Sequence, residues 1–224
     1  MKTIKARLTF VEPLLGGLPN NKEIYTEFVA SKAKDAATMQ DEVDAIGADA
    51  YTEKGTTVFA GTMEGKPFIY DYQVKGFLKE ACANVKRDAT SKSSNVKNYK
   101  KVIDGNIFVF AEGLRPSAKG KAEWKRLYIQ DAFPMDVNER PLRAQTAQGE
   151  RISLARSEQI DAGASITMDI VTLLDEQEPM IREWLDYGVY KGLLQWRNAG
   201  YGRFVWDELN EDGEIIGGNN EFVA

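Results

Sequence analysis

The stretch QWRNAGYGRF, residues 195 to 204, sets Arg197 and Arg203 around Asn198, Gly200 and Gly202, with the rings of Trp196 and Tyr201 interleaved. Glycines let backbone N–H groups approach an anion without interference from a Cβ, and guanidinium groups pair with phosphate oxygens. Trp196 or Tyr201 can stack on a base, so the chemistry that suits these residue types is recognition of single-stranded nucleic acid. The same composition also describes a helix ending at a glycine before a strand with core aromatics, and residue types alone leave both open. The known phosphate loops are absent: there is no GxxxxGK[ST], and GYGRFV lacks the last glycine of GxGxxG.

A second pair is Lys75-Gly76, near the start of a helical stretch, where an ammonium and a backbone amide could sit together near phosphate. A crowded helix face at Gly76 is the alternative. The acids Asp35, Asp41, Glu42, Asp44 and Asp49 could gather a divalent ion, but the EF-hand spacing fails at Val43 and Ala45, and a solvated helix face explains them better. The chain has no histidine, which excludes His-based triads and His-ligated zinc, and its one cysteine, Cys82, excludes an intrachain disulfide or a CxxC knuckle. No cofactor or resident metal is expected.

The 224 residues are long enough to bury a sizeable core, and 43% hydrophobic with 28% charged residues is ordinary for a globular protein. The net charge of −5 hides an asymmetry: residues 73 to 126 sum to +8 and the remainder to −13. Such a division suits one surface facing an anionic partner, or else a solvated lysine-rich insertion. The N-terminus has no apolar signal core and no run approaches the roughly 20 residues of a membrane span. A cytoplasmic protein with no membrane partner is expected.

Several elements must position these residues. Ile4, Ala6, Leu8 and Phe10 alternate with polar neighbours, the period of a half-buried strand. Residues 22 to 46 read as helical, TTVFAG and KPFIYDY as short strands, and 72 to 85 as a helix carrying Val74, Phe77, Leu78, Ala81 and Val85 on one stripe. SKSSNVKNYKK reads as a polar loop, NIFVFAE and WKRLYIQDAF as strands, and residues 134 to 157 as a polar, arginine-containing hairpin or arm. A strand over IDAGASITMDIVTLL, a helix over EPMIREWLDYGVYKGLLQW and the strand GRFVWDEL follow, then an acidic tail. This order predicts an α+β fold: a modified ferredoxin-like or RNA-recognition-type antiparallel sheet with a helical insertion and a projecting hairpin. One domain spans 1 to 224, with insertions at about 20–55 and 86–101.

In this order the stretches resemble the RAMP superfamily of CRISPR-associated proteins, most closely its backbone subunits, which polymerise along a guide RNA. LTFVEPLLGGLP is similar to the family's first strand and glycine turn, and FIYDYQVKGFLKEACANV to its lysine-glycine helix entry, with DYQ where the family has GSS and Glu80 where it has arginine. LYIQDAF and SLARSEQIDAGASITMDIVTL resemble its strand ending in Asp-Ala and the strand after its thumb. YGVYKGLLQWRNAGYGRF is similar to its last helix and glycine-rich loop.

The resemblance implies that Lys75, Gly76, Lys79, Arg197, Asn198, Gly200, Tyr201, Gly202 and Arg203 contact RNA. It makes residues 134 to 157 a thumb, carrying Met135, Arg140, Arg143 and Arg151, that folds over the guide of a neighbouring protomer. The implied partners are single-stranded RNA, further copies in a helical stack and other effector subunits. Target-cleaving relatives carry an aspartate after the first helix, where Asp35 or Asp41 would fall. Three functions stay open: a guide-RNA-binding backbone subunit, a metal-dependent endoribonuclease, and a virus- or mobile-element-encoded relative that binds single-stranded nucleic acid or a partner complex without a guide.

Overall fold

The computed structural model describes residues 1–19, 56–61, 65–117, 122–146 and 149–220. The expected helix over 22 to 46, with Asp35 and Asp41, lies outside them.

The main sheet has five strands: β1 (Lys2–Phe10), β6 (Ile107–Ala111), β10 (Ser165–Thr172), β11 (Phe204–Leu209) and β12 (Ile215–Gly218), in the order β12-β11-β1-β10-β6. All four pairings are antiparallel. Helix α1 (Asp71–Val85) enters between β1 and β6, and α3 (Glu178–Asp186) between β10 and β11. Without β12 this is the βαββαβ connectivity of the ferredoxin-like fold, so the expected α+β class is the observed one.

The alternation in β1 does what its period predicts. Ile4, Ala6, Leu8 and Phe10 are buried and join Val109, Ile166, Met168 and Ile170 under α1 and α3, which contribute Phe77, Leu78, Ala81, Trp184 and Leu185. The outer face carries polar residues in pairs, including Arg7 with Asp207 at 2.8 Å and Arg115 with Asp169 at 2.7 Å.

Three elements differ from the sequence reading. Residues 91 to 101 are not a plain polar loop: their last three residues open α2 (Tyr99–Asn106), and Glu183 clamps the preceding turn. The Glu183 carboxylate accepts from the Ser91 and Ser93 hydroxyls and the Lys92 amide, and Trp184 Nε1 donates to Ser93 Oγ at 2.7 Å. In α2 only Ile103 is buried, so no apolar stripe announced it. Second, α3 ends at Asp186 instead of running to Trp196. Gly192 lies against the backbone of Tyr201–Arg203, where an added Cβ would come within 2.2 Å, and a continuing helix could not make that approach. Third, the tail contains β12, whose four residues are all exposed.

Around one end of this sheet lie β2 (Leu14–Leu15), β3 (Leu18–Pro19), β4 (Thr57–Val58), β8 (Met135–Thr146) and β9 (Gly149–Ile160), while β5 (Phe68–Tyr70) pairs with β7 (Arg126–Tyr128). The arm is an antiparallel hairpin in unbroken register from Met135↔Ile160 to Thr146↔Gly149. Its foot is anchored, β9 pairing with β2 at Leu14 and Leu15 and with β4 at Thr57. Beyond Ser157 the hairpin pairs with no other strand among the described residues.

Candidate nucleic-acid interface

The loop after α3 is built by close packing. The Leu193 N–H donates to Gly202 O and the Gly202 N–H to Pro13 O, which ties the loop to the end of β1. At Gly202, with φ +70°, a Cβ would lie 2.3 Å from Leu193 O. The Gly200 N–H donates to Arg197 O, closing a short 3-10 turn over Arg197–Ala199. Both glycine amides expected to face an anion are therefore satisfied internally, and these glycines shape the loop. Leu194 and Trp196 also take positive φ, 62° and 52°, a conformation costing about 1–2 kcal/mol each outside glycine.

Packing holds that strain in place. Trp196 stacks on Tyr201 with centroids 5.1 Å apart and planes at 23°, and the Arg140 guanidinium lies 4.9 Å from the centre of the Trp196 ring. The Asn138 side-chain amide donates to the Tyr201 hydroxyl at 3.2 Å. The foot of the hairpin and the glycine loop thus form one wall, and Trp196 remains 38% exposed at its surface.

Facing this wall is α1. Gln73, Gly76, Phe77 and Glu80, at i, i+3, i+4 and i+7, share one side of the helix. With Gly17, Leu193, Leu194, Gln195 and Arg197 they line a cleft of about 340 Å³. An added Cβ on Gly76 would meet nothing within 4 Å, so the chain itself does not crowd the helix there.

The cations divide into two groups. Arg197 is ion-paired with Glu80, and Lys191 lies 3.5 Å from the other oxygen of that carboxylate while donating to Asn198 Oδ1 at 2.6 Å. Arg140 and Arg203 make no ion pair among the described residues. Arg140 is only 6% exposed, and it donates to Asn138 Oδ1, to Ser157 Oγ at 3.1 Å and to Gln195 Oε1 at 3.1 Å. Its Nε and that of Arg203 are buried without a partner among the described residues. Burial lowers the pKa of the Arg140 guanidinium, partly offset by the nearby Tyr201.

The structure brings Gly76, Arg197, Asn198, Gly200, Tyr201, Gly202, Arg203 and Arg140 to this end of the sheet. It does not bring Lys75 and Lys79 to the cleft wall. Both face α2, where Lys75 Nζ donates to Asp104 O at 3.3 Å and lies 5.3 Å from the Phe108 ring centre, and Lys79 pairs with the Asp104 carboxylate. Burial pushes the Lys75 pKa down, and Lys79 holds that of Asp104 down. Met135 packs partly buried against the core. Arg143 and Arg151 belong to β8 and β9, opposite Ile152 and Ala144. The sequence reading missed Asn138, Ser157, Gln73 and Gln195. Only Gln195, inside the glycine-loop stretch, carried a signal that could have found it.

No family model matches the sequence, and no curated protein does. Solved structures do match it. One is a chain of the cryo-EM structure of the Type III-B Cmr-beta bound to cognate target RNA, with a TM-score of 0.49 and 10% identity over 93% of this chain. The chain spans 58% of the length of that one.

Proposed function

We propose that the chain is a single-stranded-RNA-binding subunit of a CRISPR-type effector ribonucleoprotein, one that holds a guide as a repeating backbone subunit. The observation that carries this reading is the convergence at one end of a ferredoxin-like sheet of a partly exposed aromatic stack, a cleft with glycines in its walls, and the guanidinium groups of Arg140, Arg197 and Arg203, of which only Arg197 is ion-paired among the described residues. Stacking, close backbone approach and positive charge are what an unpaired strand requires. The RAMP resemblance of the sequence assigns the same loop and hairpin to RNA.

In this reading the strand lies in the cleft between α1 and the loop, with a base against Trp196 and the backbone passing the foot of the hairpin. The hairpin, anchored at its foot, reaches over the strand held by the next copy. Absorbance at 260 and 280 nm across a sizing column, with sequencing of any extracted nucleic acid, tests this. The expected result is RNA of uniform length in a high-mass peak. A nucleic-acid-free monomer that also fails to bind added single-stranded RNA, or binds DNA equally well, refutes it.

A further inference from the structure

Arg140 is a guanidinium almost wholly withdrawn from water, with no carboxylate to neutralise it among the described residues. Among the described residues its hydrogen-bonding partners are all neutral, and Nε has none. Buried charges are ordinarily paired, because the interior solvates an isolated ion poorly. The acids nearby do not serve it. Glu139, next to it in the strand, lies 2.7 Å from Arg156, and Glu158 accepts from the Phe59 amide. Glu80 is engaged by Arg197 and Lys191.

Gln195 joins this cation to the cleft. Its carboxamide oxygen accepts from Arg140 Nη2, and the same residue lines the cavity between α1 and the loop. It lies in the loop segment where Leu194 and Trp196 hold positive φ. A flexible amide on such a loop can withdraw and surrender its place on the guanidinium to a charged oxygen.

We infer that Arg140 is the seat of a phosphate group, and that Gln195 Oε1 holds the place of one phosphate oxygen while the seat is empty. A phosphate entering from the cleft displaces the Gln195 carboxamide, accepts from Arg140 Nη2 and supplies the missing negative charge. Arg203, whose Nε is also buried without a partner, belongs to the same end of the loop. The inference rests on the RNA reading for the source of the phosphate, a backbone phosphodiester. A free phosphate would satisfy the same chemistry.

Thermal unfolding of the full chain in inorganic phosphate, against chloride at equal ionic strength, reads the seat directly, and anisotropy of a labelled single-stranded RNA across a salt series reads its use. Wild type should show a saturable rise in Tm with phosphate, which Arg140→Met should abolish. On RNA, Arg140→Met should flatten the plot of log affinity against log salt by about 0.7, the loss of one phosphate contact on a single strand. Gln195→Glu places a carboxylate where the amide oxygen stood. It should raise Tm without phosphate, remove the phosphate response and weaken RNA binding, and it keeps the test valid if Arg140→Met does not fold. A phosphate response that survives in Gln195→Glu, or none in wild type, overturns the inference. If wild type responds to phosphate through these residues and binds no RNA, the RNA reading fails and the seat stands for a free phosphate. If RNA binds and both variants keep the wild-type slope, the seat fails and the RNA reading stands.

Discussion

Gly76 is the sixth residue of a 15-residue helix, on an exposed turn where a Cβ would touch nothing. Replacing an interior helix glycine with alanine gains about 1 kcal/mol through reduced backbone entropy and better helix propensity. With no contact to offset that gain, Gly76→Ala should stabilise the free protein by about 1 kcal/mol, a rise in Tm of about 2–4 °C for a chain of this size. The proposed ligand changes the sign. If the RNA backbone lies on this glycine, the added methyl intrudes into it, and affinity should fall about tenfold, or about 1.4 kcal/mol. Gly76→Leu should reduce binding further while the helix persists. Thermal unfolding and RNA anisotropy on the same preparations separate the effects. Wild-type affinity in both variants would show that the ligand does not cross this face. A fall in Tm for Gly76→Ala would show that the space is not open.

Other perturbations test the scaffold. Gly202→Ala forces a Cβ toward Leu193 O at a positive φ and should cost about 3 kcal/mol in denaturant unfolding, whereas Gly200→Ala, whose nearest contact would be the Arg203 side chain at 3.5 Å, should cost about 1 kcal/mol. Similar losses at both would refute the packing account of the loop. Glu183→Ala leaves the Ser91 and Ser93 hydroxyls and the Lys92 amide without their shared acceptor, and should destabilise by about 2–3 kcal/mol with hydrogen exchange rising first in residues 88 to 98. An unchanged exchange pattern would remove Glu183 from that role. Burial pushes the Cys82 thiol up to about 11, so at pH 8 about one in a thousand is thiolate and alkylation of native protein should be slow. Because the folded pKa exceeds the unfolded one, stability should fall as pH rises from about 9 to about 11. Rapid native labelling at pH 8 would contradict this.

The strands were legible where one face is buried and the other wet, as in β1, because a period of two survives in any such strand. The order of elements then gave the sheet's connectivity. What sequence could not give were features set by distant partners. The stop of α3 depends on Gly192 meeting the backbone near Gly202, and α2 buries only Ile103. The glycine loop announced its residue types but not their roles: Gly200 and Gly202 read as anion-facing amides, yet the Gly200 N–H closes the turn on Arg197 O and the Gly202 N–H ties the loop to Pro13 O. Lys75 read as a phosphate contact because it adjoins Gly76 in sequence, and Lys79 because the resemblance implied it, but the helical turn carries both to α2 while Gly76 faces the cleft. Asn138 and Ser157 meet Arg140 only because the hairpin register and the loop bring them together.

The acidic total charge does not argue against an anionic ligand, because the relevant balance is local. Glu80, on the cleft side of the helix, draws Arg197 and Lys191 onto α1, linking helix and loop across the cleft. A link of this kind fixes the cleft's width and reduces the charge that Arg197 can offer a phosphate. Among the described residues, positive charge without a counterion is then left at Arg140 and Arg203, on the side formed by the hairpin and the loop end. The wall of α1 contributes shape through Gly76, and the opposite wall contributes charge and stacking. A strand held this way would be gripped from the loop side and merely accommodated on the helix side.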